Sequence, residues 1–473
     1  MKRCFFCVLL FLFIFSAGLL CAQTDYQKWK SEQERKFSEF REDENKRFAA
    51  FLEDEWKRFQ AFKGIVFDET PKLNEAPVFN TLSDAGIETG DAAVYKLDET
   101  DSPSVEPLAG QGGSDKFVFF GRELYWDKPD APVFTGRTGN REISAYWLKL
   151  SGAGLDTLAV WLADVAKQLK LDGWGTGVLA STLAAEIFPG QAISRRLACW
   201  FLMVKNGYDV RVGYNSSDIF LLVPAQNMLF DTPFFTIRGK NYYIHEFTGK
   251  TALSGALYIY EETFDSSLHQ LAFLPETQPE LGNTILRRAY SFNFKGKKYS
   301  GELNFNKNLV EYYKTIPHTD SRMYFRTNLS GPLLDSLQTE FAPLITDMNE
   351  QDKVQFLLTF VQTAFDYRTD QQQFGYEKWM LPEEALYYRY IDCEDRSILF
   401  TAIVRNMLGL SAIGLDWPGH IAAAVHFSGS VAGTYVPFSG SRYIICDPTY
   451  INADVGMVMP DFAGTPVKII PSD

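Results

Sequence analysis

Cysteine and histidine are scarce in this chain, and long apolar runs are scarcer still. Of its 6 cysteines, Cys4, Cys7 and Cys21 fall within the first 22 residues, which leaves Cys199, Cys393 and Cys446. So few thiols exclude a disulfide scaffold. Each remaining thiol must then be buried or put to use. Past residue 22 no stretch reaches about 18 apolar residues, so the mature chain is expected to have no transmembrane span. Positive charge is also short: 46 Lys and Arg face 59 Asp and Glu, a net charge of −13. Such a surface repels phosphate backbones, which excludes nucleic acid as an expected partner.

What is present begins with an export signal over residues 1–22. Lys2 and Arg3 supply its charge, Val8 to Phe15 its apolar stretch, and Leu20-Cys21-Ala22 a cleavage region before Gln23. The expected location is periplasmic or secreted. Cys21 leaves lipoprotein anchoring open as a second route. Within 23–63 aromatics recur every eleven residues, at Tyr26, Phe37, Phe48 and Phe59 and at Trp29, Phe40, Phe51 and Phe62. Eleven residues over three turns place all of them on one stripe of a long helix. That stripe either docks on the protein's own body or mediates self-association or partner binding.

A Pro-, Gly- and acid-rich linker is expected over 64–115. An α/β domain follows over 116–250, then a β-rich segment over 251–330 and a second α/β domain over 331–473. Lys116 to Trp126 reads as a strand pair around Gly121. Leu155 to Leu171 and Ile193 to Lys205 read as helices. Tyr208 to Tyr214, Ile219 to Val223, Phe234 to Arg238 and Tyr242 to Phe247 read as strands. Ala289 to Lys295 and Tyr299 to Phe305 read as strands of the β-rich segment.

The chemistry concentrates near the C-terminus. Ile398, Leu399, Ala402, Ile403 and Met407 make one apolar helical face that stops at Gly409, so Cys393 lies at a helix start. Exposed N–H groups and the helix dipole there favour a thiolate nucleophile. Pro418-Gly419-His420 opens a strand of small apolar residues, and Asp447 closes another before Pro448. A carboxylate in that place can fix the tautomer of an imidazole and stabilise its charged form. Cys393, His420 and Asp447 therefore form a candidate catalytic triad. Cys199 and Cys446 read as core, and His426 as a surface or supporting residue.

This order resembles the transglutaminase-like superfamily of the papain-type fold over about 340–460. The likeness rests on Asp-Cys-Glu-Asp-Arg, Gly-His and Asp-Pro-Thr. It also takes in Phe360 to Tyr367 and Trp379 to Leu386, which look like the two helical segments preceding the nucleophile in bacterial members. It implies thiol acyl chemistry on a protein or peptide, with Cys393 attacking a carbonyl, His420 moving the proton and Asp447 holding His420. Gln362 and Trp379 are candidate oxyanion or wall residues. The Asp-Cys-Glu-Asp run is also similar to bacterial transglutaminase-like cysteine proteinases, whose flanking acids bind calcium, and Asp392 and Glu394 match those positions. No other cofactor is expected. Three readings stay open: a peptidase or amidase, a cross-linking acyl transferase, or a non-catalytic binding or scaffold protein that kept the fold.

The middle α/β domain reads as a degenerate copy of the last. A shift of 202 residues lays Gln191 on Cys393, Asp218 on His420 and His245 on Asp447, without a gap. The expected fold class is thus α+β: an N-terminal helix, a degenerate papain-like domain, a β-rich connection and a papain-like transglutaminase-like domain.

Overall fold

Two antiparallel five-stranded sheets, each curled into a half-barrel against helices, organise a mixed α+β chain. The computed structural model describes residues 105–110, 112–248, 257–260, 267–273 and 277–472, with 95 and 97–99 ahead of them. The export signal, the aromatic repeat and the linker up to residue 94 lie outside the described residues.

The first sheet-bearing half starts with a hairpin, preceded by the short strands β1 (Asp98–Glu99) and β2 (Glu106–Pro107). Strands β3 (Asp115–Phe119) and β4 (Arg122–Trp126) turn at Gly121, as the sequence predicts. Four helices follow: α1 (Asn140–Gly152), α2 (Leu155–Gln168), α3 (Gly173–Ile187) and α4 (Ala192–Lys205). The sheet then adds β5 (Arg211–Tyr214), β6 (Ile219–Pro224), β7 (Phe234–Ile237), β8 (Lys240–Ile244) and β9 (Tyr258–Ile259), in the order β7-β8-β6-β5-β9.

A long hairpin of β10 (Ile285–Phe294) and β11 (Lys297–Asn306) connects the halves. Along β10 every second residue is buried, which sends Tyr290, Phe292 and Phe294 into one aromatic core with Phe341, Phe356 and Phe360. The rest of the expected β-rich segment departs from expectation. It contains helices α5 (Lys307–Tyr313) and α6 (Ser321–Arg326). Asn306 and Asp320 cap these helices, accepting from the N–H groups of Asn308 and Arg322, and Leu309, Val310, Tyr312 and Tyr313 are buried.

The last half repeats the plan. Helices α7 (Gly331–Ile345), α8 (Glu350–Thr363), α9 (Asp370–Gln373), α10 (Pro382–Tyr387) and α11 (Cys393–Ile403) precede β12 (Ala412–Trp417), β13 (His420–Val425), β14 (Tyr435–Phe438), β15 (Ser441–Cys446) and β16 (Lys468–Ile470). Of the two helical segments expected ahead of the nucleophile, Phe360 to Tyr367 is helical only to Thr363, and Trp379 to Leu386 only from Pro382. The strand order, β14-β15-β13-β12-β16, matches that of the middle sheet strand for strand.

The registers match as well. Moved by 202 residues, the partners Arg211 and Leu222 fall on Ile413 and Ala424, which are themselves partners. Tyr214 pairs with Tyr258 on the fifth strand as Asp416 pairs with Lys468. Both hairpins turn through two positive-φ residues, Arg238-Gly239 and Ser439-Gly440. These turns are 201 residues apart, not 202, and the penultimate strand slips accordingly. Leu222 pairs with Ile244, whereas Ala424 pairs with Ile445. Glu246, not His245, therefore stands where Asp447 stands.

A second one-residue offset lies in the helix. Ala192 opens α4 and Cys393 opens α11, yet the glycines that end the two helical runs, Gly207 and Gly409, lie 15 and 16 residues on. The extra residue is taken up by a π-helical turn, Val404–Leu408, which only the C-terminal helix contains. Ala192 rather than Gln191 is thus the counterpart of Cys393. Both glycines have φ near the left-handed region, +85° and +67°, which allows the chain to leave the helix and enter the first sheet strand.

Candidate functional site

Asp392 caps helix α11, which Cys393 opens. Its backbone N–H reaches Asp395 Oδ2 at 3.4 Å, and the pair forms a capping box. Helix α11 is buried along its whole length, and Ser397 donates to the carbonyl of Ile421 at 3.1 Å. That bond pins the first helical turn to the start of β13, one residue beyond His420.

His420 Nε2 lies 2.8 Å from Asp447 Oδ2, and both side chains are buried. The other Asp447 oxygen accepts from the N–H groups of Thr449 at 2.9 Å and Tyr450 at 3.1 Å. Asp447 is thereby oriented by its own turn and keeps Oδ2 for the imidazole. The His420 ring packs against Trp417 and Phe462, with centroids 6.2 and 5.0 Å away, and those two rings lie 5.4 Å from each other. Of the three sequence-predicted residues the structure joins His420 to Asp447, and Ser397 ties the helix that Cys393 opens to the start of β13.

The thiol differs from the sequence expectation in its electrostatics. Burial pushes it well above the ordinary thiol range, and the carboxylates of Glu394 and Asp392 push further. The Cys393 sulfur also donates to Glu394 Oε2 at 3.0 Å. Burial and the two carboxylates thus outweigh the helix N-terminus, which acts in the opposite direction.

The acidic residues form a cluster of which the sequence marks only Asp392 and Glu394. Oxygen atoms of Asp370, Asp392 and Glu394 all lie within 4.8 Å of one another, and all three residues are buried. The Asp370 N–H donates to Asp392 Oδ2 at 3.2 Å, and Asp392 Oδ1 is buried without a hydrogen-bond partner. Burial, then Asp395 and Glu394, pushes the Asp370 carboxyl up to about 10. Burial, then Glu394 and Asp395, likewise raises Asp392 well above the carboxylate range. Converging buried carboxylates with a spare oxygen fit a hard divalent cation. Asp370 carries no motif and reaches the cluster from the short helix α9, so only the fold reveals it. Tyr367 is a second such residue. Cys393, Asp392 and Glu394 all act on its phenol, which burial raises well above its usual range.

The accessory residues resolve differently from expectation. Gln362 Nε2 lies 3.0, 2.9 and 3.1 Å from the carbonyl oxygens of Asp447, Tyr450 and Ala453. Its amide protons are committed there, so it is a clamp on the Asp447 loop and not an oxyanion donor. Trp379 packs on Tyr324 and His318 and donates to Glu377 at 3.1 Å. Cys199 and Cys446 are buried free thiols. His426 lies at the other end of β13, its Nδ1 3.1 Å from the Arg442 carbonyl oxygen.

In the middle half the equivalent site holds different chemistry. Ala192, Asp218 and Glu246 occupy the triad positions, and Arg196 binds both carboxylates, reaching Glu246 from Nε at 2.8 Å and Asp218 from Nη1. Ala192, at the place of Cys393, carries no thiol. Comparison with known proteins finds no matching family model, no matching curated protein and no matching solved structure.

Proposed function

We propose that this chain is an exported transglutaminase-like protein of papain-type fold that acts on peptide or protein amide bonds through a thioester on Cys393, with hydrolysis as the outcome. The observation that carries the reading is the buried His420–Asp447 pair at 2.8 Å, placed where the helix opened by Cys393 meets β13. In this scheme the thiol passes its proton to His420, and the sulfur attacks the carbonyl. The imidazolium, held by Asp447, returns the proton to the leaving amine, and water then releases the acyl group. The matching sheets support descent of both halves from one unit, with the middle half now a structural lobe.

Asp370, Asp392 and Glu394 would hold a calcium ion, which would offset the carboxylate charge beside the thiol. A second reading is a non-catalytic binding protein that kept the fold. It is favoured by the Cys393 thiol being only 8% exposed and bonded to Glu394. Iodoacetamide labelling of the mature chain against Cys393→Ala, followed by peptide-library cleavage with and without calcium, separates the two. Rapid Cys393-dependent labelling with cleavage supports hydrolysis. Labelling no faster than a denatured thiol under all conditions supports the binding protein. Joining of peptides to added amines would instead identify a cross-linking acyl transferase.

A further inference from the structure

We propose that Gln362 and Arg396 are positioning residues: a buried bracket, anchored on the last turn of α8, that sets Asp447 and thereby His420 against Cys393. The proposal rests on the triad reading above. Arg396 lies one turn into the helix that Cys393 opens and is buried among backbone carbonyls. It donates from Nη1 to the Gln362 carbonyl at 3.2 Å and from Nη2 to the Phe365 carbonyl at 2.8 Å. Its planar fork thus ties the nucleophile helix to the end of α8. From the same turn Gln362 sends its amide the other way, into the Asp447, Tyr450 and Ala453 carbonyls.

The two arms meet on one residue. Gln362 is held by its main-chain carbonyl from the nucleophile side, and it holds the orienter side with its side chain. The nucleophile helix, through Arg396, and the orienter Asp447 are therefore both measured from the end of α8, with Arg396 and Asp447 34 and 85 residues away from Gln362 along the chain. The Asp447 side chain is fixed by its own turn, but that turn can move as a body, and the Gln362 amide is what stops it. Gln362 is 1% exposed, so it acts through Asp447 and not on a substrate.

The test uses the full mature chain with isotope-labelled histidine. The Nε2–H signal of His420, assigned by its loss in His420→Gln, reports the bond to Asp447. Gln362→Met keeps the volume and removes the amide. We expect it to raise hydrogen exchange of that signal, and to slow Cys393 alkylation, by on the order of tenfold or more. A lowered melting temperature with the His420 signal and the alkylation rate unchanged overturns the proposal, because a merely structural contact would do only that. Should Gln362→Met fail to fold, Arg396→Lys carries the same test, since one ammonium cannot reproduce the fork. If His420→Gln leaves alkylation at the wild-type rate, the triad reading falls, and the bracket with it. If His420→Gln slows alkylation and Gln362→Met does not, the bracket alone falls.

Discussion

Glu246 and Asp447 stand just past the ends of matching strands, and each receives a nitrogen donor: Arg196 at the first, His420 at the second. The two donors differ in what they can do beside a carboxylate. An imidazole can gain and lose a proton at neutral pH, whereas a guanidinium cannot. The middle half thus sets a carboxylate at the same strand end beside a fixed cation.

Replacing Arg196 by methionine should therefore cost stability and spare the chemistry. Asp218 and Glu246 would lose their shared partner, at a cost of about 1–3 kcal/mol. Chemical denaturation measures the cost, and Cys393 labelling should proceed at the wild-type rate. A loss of labelling without a loss of stability would contradict the assignment of this half as a structural lobe.

Labelling of Cys393 should show a rising pH dependence. Burial and the neighbouring Glu394 and Asp392 raise its thiol, so the alkylation rate should keep climbing beyond the pH at which an ordinary cysteine levels off. Glu394→Gln removes a negative neighbour, so the thiolate fraction, and with it the neutral-pH rate, should increase. A slower Glu394→Gln variant would show that this carboxylate assists the sulfur.

Calcium should bind at Asp370, Asp392 and Glu394 and stabilise the fold. At about a hundredfold excess over Kd a ligand of the folded state alone adds about 2.7 kcal/mol. Calorimetry and melting curves with calcium or chelator check this, with Asp370→Asn and Asp392→Asn as controls. Absence of binding heat together with an unmoved melting temperature would exclude the site.

The same cluster predicts how stability depends on pH without the ion. The folded Asp370 carboxyl titrates near 10, above its unfolded value of 3.8, so folding favours the protonated form. Its contribution is complete below the unfolded value and is lost as pH rises toward 10. Melting temperature in chelator should thus decline on the alkaline side, and Asp370→Asn should flatten the decline. A profile identical in wild type and variant would show that Asp370 ionises freely.

Cys393, His420 and Asp447 were legible because each sits at the end of a regular element, where hydrophobic period and breaker residues mark the position. Asp370, Tyr367 and the Gln362 clamp were not. Their partners lie far along the chain, and nothing in local periodicity encodes which carbonyl a buried amide will meet. The repeat of strand order could be anticipated from matched periodicity, but the one-residue slips could not. A gapless shift put Gln191 on Cys393 and His245 on Asp447, since neither a π-turn nor a hairpin slip leaves a mark in residue type. Helix α5 was hidden by its tyrosines, which suit a strand as readily as a helix that buries them.

The π-turn at Val404–Leu408 acts as an angular spacer. Each residue advances a regular helix by about 100°, so an extra residue absorbed in one wide turn lets the preceding helix keep its azimuth while the chain grows longer. Removing one residue from that turn would leave the helix two ways to close. It could tighten to a regular spiral and swing Cys393 about a quarter turn away from His420, or it could hold its azimuth and pull Gly409 out of the sheet entry. The C-terminal half thus carries a length mark that the middle half lacks, and the aim of its sulfur depends on that mark.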